Sequence, residues 1–332
     1  MHPPQKRFSL ERSHWARDGL TDPRVKVLAG LRGADVSGHL LSVRDGLREH
    51  GVDESRLVVI DFEDARFRRL KTADNVMEYL GGLAESAAPR YLFLISCCRI
   101  MHHTDLLRTL QGQGGKWNVW VAAYTAHVVG DGDPFRQYPW MTVRRVWTDP
   151  DLVRTPAESK LVWCEVFQDA IARSVRSPDV RALDYIAEHL SRHLGEQTTL
   201  REIAAALQGF GYGVSANSVR FYRGVLEQCY LVDASYAYDV FERRVLPKLG
   251  VRMFWTDLGL RAWRFGPADE FETERVALAR LYLKLRRAHS RVYTPVGHDA
   301  DFVTIEPSGE LRYWSVSEDE APGIREFRAS LG

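Results

Sequence analysis

Gly30 and Ser37 are the first residues whose types and spacing suggest chemistry. They fit the first and last fixed positions of G-x-x-x-x-G-K-[ST], the pattern of a phosphate-binding loop. Asp35 stands where the second glycine belongs and Val36 where the lysine belongs. Such a loop cradles phosphate oxygens with successive backbone N–H groups, while its lysine reaches the β- and γ-phosphates. Val36 brings no charge, and Asp35 brings a carboxylate to the place where phosphates would sit. Like charges in a poorly screened pocket repel. The same stretch therefore supports a phosphate-loop fold and opposes phosphoryl transfer. A plain strand-to-helix turn remains the alternative.

The elements around this loop set the fold class. Val25–Ala29 is an apolar strand running into it, and His39–His50 carries apolar residues at helical spacing before Gly51, which fits a C-cap. Strands are expected at Arg56–Asp61, Tyr91–Ser96, Asn118–Ala123 and Arg144–Trp147, with helices at Thr72–Ala88 and His103–Leu110 between them. Near-continuous apolar strands alternating with helices predict a mostly parallel α/β sheet, ending near residue 150. Residues 156–193 read as helix interrupted at Pro178. A helix from Leu200 to Leu207 capped by Thr198 or Thr199, a turn over Gly209–Gly213, a helix over Ala216–Gln228 capped by Ser215, and a strand from Tyr230 follow. Helix, turn, helix and strand in that order predict a winged helix-turn-helix. On its second helix Ser215, Asn217, Ser218, Arg220 and Arg223 supply donors and charge suited to bases and phosphates. From Val251 onward, strands around a helix over Glu272–His289 predict a small α+β domain. The expected domains are 1–150, 151–250 and 251–332.

The chain has 332 residues, 45% hydrophobic and 27% charged, with a net charge of +1. That balance excludes a global basic field, so contact with nucleic acid would need a local patch. The cysteines Cys97, Cys98, Cys164 and Cys229 form no C-x-x-C pair, which suggests reduced thiols and a cytoplasmic location. No run approaches the roughly 18 apolar residues of a membrane span, and the first fifteen residues lack a signal-peptide core. Trp140 and Trp147 are candidate interface anchors.

The order of segments from residue 24 onward resembles the bacterial and archaeal AAA-type ATP-binding proteins that carry a C-terminal domain of unknown function. The residues that carry this resemblance are the loop at Lys26–Leu41, VVIDFED at Val58–Asp64, YLFL at Tyr91–Leu94 and NVWVAA at Asn118–Ala123, followed by SANSVRFYRGVLEQCYLV at Ser215–Val232, TDLGLR at Thr256–Arg261, DADFV at Asp299–Val303 and YWSV at Tyr313–Val316. The resemblance implies a P-loop ATPase core, a helical lid with a winged helix, and a PD-(D/E)XK-like C-terminal domain. It also implies that the family's magnesium-holding carboxylates correspond to Ile95 and Ser96, which leaves the nucleotide site degenerate. Arg136, Arg144 and Arg145 fall where such domains carry an arginine reaching a neighbouring subunit's nucleotide. Glu274 and Asp301 fall where a nuclease core would hold metal, but a lysine to orient water is missing. The expected function is a non-catalytic pseudo-ATPase scaffold that assembles with itself or an active AAA partner and contacts DNA through the winged helix. No cofactor is required, although a retained pocket would take ATP and Mg²⁺. The alternative is an ATPase with a non-standard site, or a metal-dependent nuclease using Glu274 and Asp301.

Overall fold

The computed structural model describes residues 19–83, 89–113, 115–126, 138–173, 179–267, 273–289, 291–316 and 324–328. Arg136 lies outside the described residues. The chain divides into two compact units, Met1–Val146 and Trp147–Gly332.

The first unit contains β1 (Val25–Gly30), α1 (Val36–Glu49), β2 (Leu57–Asp61), α2 (Ala73–Gly81), β3 (Arg90–Ile95), α3 (His103–Gly112), β4 (Trp117–Ala123) and β5 (Met141–Val146). Its five strands form one sheet in the order β2-β3-β4-β1-β5. Every neighbouring pair is parallel. All six residues of β1 are buried, as expected of a central strand covered on both faces. The chain steps from β1 to the far edge at β2, then returns through β3 to β4. With right-handed crossovers, that reversal puts α1 on one face and α2 and α3 on the other, and α2 packs against α3. The reversal leaves a crevice beyond the carboxyl ends of β1 and β4, where open α/β sheets hold ligands. This confirms the expected mixed α/β class with a parallel sheet.

Several boundaries differ from the sequence expectation; helix α2, for one, ends at Gly81 rather than Ala88. Helix α1 starts at Val36 rather than at His39, because Asp35 turns the chain through a left-handed conformation with φ 53°. Strand β5 starts at Met141, since residues 141–146 pair in register with all of β1.

The second unit contains α4 (Pro156–Arg173), α5 (Val180–Arg192), β6 (Gln197–Thr198), α6 (Leu200–Gly209), α7 (Ala216–Gln228), β7 (Val232–Asp239), β8 (Arg244–Val245), β9 (Val251–Trp255), α8 (Leu258–Phe265), α9 (Thr273–Ala288), β10 (Val292–Val296), β11 (Phe302–Ile305), β12 (Leu311–Val316) and β13 (Ile324–Arg328). Strand β9 pairs antiparallel with both β6 and β7, and the other edge of β7 takes β10 in parallel. The sheet continues through β11, β12 and β13, so it crosses residue 250 without interruption. Aromatic rings pack in its core, with Phe254 stacked 4.1 Å from Tyr282 and Phe302 tilted 5.6 Å from Tyr282 between centroids. A buried carboxylate and a partly buried one are compensated. Asp257 accepts from Arg154 at 2.8 Å and caps α8 through the Leu260 N–H at 2.8 Å. Asp233 accepts from the Tyr282 hydroxyl at 2.5 Å and from Arg286 at 2.9 Å.

Candidate functional site

The crevice at the carboxyl end of the first sheet gathers residues from four strand ends. After β1, Gly33 takes φ 99° and Asp35 φ 53°, so the loop makes the sharp turn that a phosphate-binding loop needs. Its side chains do something else. Val36 is fully buried and packs 3.2 Å from where a side chain on Gly30 would begin. The lysine position is thus a core position. Gly30 is required by the close approach of the Val146 carbonyl, which a Cβ would strike. The Asp35 carboxylate lies against Gly38 in the first turn of α1, so the protein supplies an anion of its own to the positive end of this helix.

Beyond the loop, Arg32 donates to Glu63 Oε1 at 2.9 Å. Glu63 follows β2 by two residues. The same oxygen accepts from the Ser96 hydroxyl at 2.9 Å and from Arg99 Nε at 3.2 Å. Burial works against ionising Glu63, but the Arg32 charge and the Ser96 and Arg32 hydrogen bonds, with Arg99, outweigh it and hold the carboxyl below its ordinary range. The Arg32 guanidinium also lies over the Tyr124 ring at 4.5 Å. Tyr124 follows β4, is buried, and is hydrogen-bonded to Ser37; its phenol is pushed up chiefly by desolvation. Ile95 ends β3, and Ser96 follows it in a left-handed conformation with only 1% of its surface exposed. Ser96 and Ser37, both flagged by the sequence, therefore meet this network, whereas Ile95 and Val36 belong to the core.

Sequence reasoning did not single out Arg32, Glu63, Arg99 or Tyr124. Each falls within a few residues of the end of an apolar strand, where parallel sheets place their functional groups. Glu63 stands inside VVIDFED, a segment noted only as a family marker. Nearby, Cys97 is fully buried and its thiol is pushed well up by desolvation, which removes thiolate character.

The remaining candidates lie elsewhere. Arg144 and Arg145 occupy the edge strand β5, opposite Leu28 and Ala29. Being adjacent on a strand, they face opposite sides of the sheet. In the second unit, Ser215 caps α7 by accepting the Ser218 N–H at 3.1 Å, and the two hydroxyls are 3.0 Å apart. Asn217 and Arg220 are exposed on α7. Arg223 lies 3.5 Å from Glu227, with both side chains largely buried. Glu274 is exposed in the first turn of α9. Asp301 Oδ2 accepts the Val316 N–H at 2.9 Å, tying the approach to β11 to the end of β12. Among the described residues no group of three or more His, Cys, Asp or Glu could hold a metal ion, and no helix is long and apolar enough to cross a membrane.

The sheet and crevice define an α/β protein whose first unit has a P-loop-like arrangement, followed by helical and β elements. No family model and no curated protein matches the chain. Among solved structures it is similar to the Thermotoga maritima RuvB Holliday junction branch migration motor, at 13% identity and TM-score 0.30, over 69% of this chain and 92% of that one. It is similar to a Drosophila ORC structure bound to AT-rich DNA and Cdc6, at 11% identity and TM-score 0.25, over 74% and 86%. A Thermotoga maritima DNA polymerase III gamma subunit-related protein matches at 12% identity and TM-score 0.27, over 65% and 76%. At these values the likeness bears on neither site nor activity.

Proposed function

We propose that this protein is a non-catalytic, AAA-like scaffold whose nucleotide site has become structural. One observation carries the proposal: the crevice is closed on itself by Arg32, Glu63, Ser96 and Arg99. Phosphoryl transfer needs a lysine and metal-borne charge around the transferred group. The lysine position is the core residue Val36, the metal positions are Ile95 and Ser96, and the Glu63 carboxylate is neutralised by two arginines.

In the second unit, the order α5, β6, α6, α7, β7, β9, with β6, β9 and β7 forming an antiparallel sheet, supports a winged helix. Its exposed Asn217 and Arg220 are suited to DNA, with Ser215 and Ser218 fixing the helix end. A partner, either a second copy or an active AAA protein in the cytoplasm, would give Arg144 or Arg145 a role in trans. Glu274 and Asp301 do not support the nuclease alternative, because the Asp301 carboxylate is engaged by backbone.

The test is phosphate release from ATP by the purified chain, together with calorimetric titration of ATP with and without Mg²⁺. The expected result is no turnover and no Mg²⁺-dependent binding. Turnover lost on Ser37→Ala would overturn the proposal. DNA contact predicts salt-dependent binding weakened by Arg220→Ala; equal binding by that variant would remove α7 from the interface.

A further inference from the structure

The network around Glu63 has the form of an occupied anion site. Three donors converge on one oxygen, Oε1, from segments that follow β1 and β3, while Glu63 itself follows β2. We propose that Arg32, Arg99 and Ser96 form a binding site for an oligophosphate, which the Glu63 carboxylate holds closed as an internal stand-in for the ligand. This rests on the non-catalytic reading of the crevice and adds a ligand class and a latch to it.

Two of the donors, Arg32 and Ser96, are held independently of Glu63. Arg32 lies over the buried Tyr124 ring, and its side chain is only 11% exposed. Ser96 is pinned by its left-handed backbone and by its N–H bond to the Ala122 carbonyl at 3.3 Å. Removing the carboxylate would therefore leave the Arg32 guanidinium and the Ser96 hydroxyl facing one point, with Arg99 within reach of it. Guanidinium groups suit phosphate oxygens as well as carboxylate ones, through charge-assisted bonds of the same geometry. Glu63 and Arg99 are the movable members, with side chains 34% and 56% exposed, while the Glu63 backbone sits in a turn held by the Asp61 carboxylate at 2.9 Å. The ligand would be received by side chains, because the Asp35 carboxylate already lies at the start of α1.

The experiment is calorimetric titration of inorganic tripolyphosphate, and separately ATP, into the full chain and its variants. The proposal expects Glu63→Ala to bind tripolyphosphate at least about tenfold more tightly than the natural chain, and expects Arg32→Ala or Arg99→Ala in that background to abolish the gain. Glu63→Gln keeps the side-chain shape and decides the matter if Glu63→Ala does not fold, as judged by circular dichroism. ATP binding to the variant that is lost with Arg32 supports the same site, whether or not it exceeds tripolyphosphate binding. Folded Glu63 variants that bind no more tightly than the natural chain would overturn the latch. So would a gain that survives loss of both arginines. The two proposals fail separately: ATP turnover by the natural chain would strike the non-catalytic reading, and silent Glu63 variants would strike only this one.

Discussion

Lys26 offers the sharpest test of how the first sheet is built. It lies in β1 with 1% of its surface exposed. Its ammonium donates to the Asp22 carbonyl at 2.9 Å and sits 5.5 Å from the Trp120 ring centroid. Burial outweighs these partners and lowers its pKa from 10.5 to about 8. One pKa unit corresponds to about 1.4 kcal/mol, so the buried charge costs about 3 kcal/mol at pH 7. Between pH 8 and 10.5 the unfolded chain binds more protons at this group than the folded one, so stability rises with pH across that window. At pH 10 the remaining cost is under about 1 kcal/mol by the same linkage. Lys26→Met removes the charge but leaves the Asp22 carbonyl without this donor, a loss of about 1–2 kcal/mol. The variant is expected to be about 1–2 kcal/mol more stable than the natural chain at pH 7, with the difference vanishing or reversing by pH 10. Urea unfolding read at both pH values measures this, and the pH 7 midpoint should rise by roughly half to one molar. Because other groups titrate in the same range, the difference between the two proteins is the quantity to read. A variant less stable by the same amount at both pH values would refute the reasoning.

Further outcomes follow from other sites. Restoring the loop consensus with Asp35→Gly and Val36→Lys should give no ATP turnover, because Ile95 and Ser96 still supply no carboxylate. It should also lower the thermal midpoint, since the new lysine enters a fully buried position. Arg154→Ala strands the buried Asp257 carboxylate and should cost about 3–5 kcal/mol in chemical unfolding, as broken buried pairs do. His189 is held down to about 4, first by desolvation and then by His193. Its contribution to stability should be present above pH 6.5 and fall away as pH drops from 6.5 to 4; His189→Gln should flatten that part of a melting-temperature profile.

The parallel sheet was legible because strands buried on both faces must be apolar throughout, and Val25–Gly30, Arg90–Ile95 and Trp117–Ala123 stand out against polar surroundings. Caps were legible for the same local reason: Thr199 and Ser215 satisfy helix N–H groups within three residues. The start of α1 was hidden because a left-handed aspartate carries little sequence signal. The Glu63 network was hidden more deeply. Its donors stand 31 to 36 residues from Glu63, and only the strand order brings them together. The Arg223–Glu227 pair was legible in the spacing, since Glu227 stands four residues on, one helical turn away.

The continuity of the second sheet has a consequence for how this chain can be divided. Strand β7 is bordered along one edge by β9 and along the other by β10. Both neighbours come later in the chain than the helices that β7 follows. A fragment ending before Val251 would present β7 with most of its ladder groups bare on two sides, a template for pairing with other copies. The helix pair and the C-terminal strands therefore inherit each other's stability, and a lesion in β10 would be felt at the base of α7.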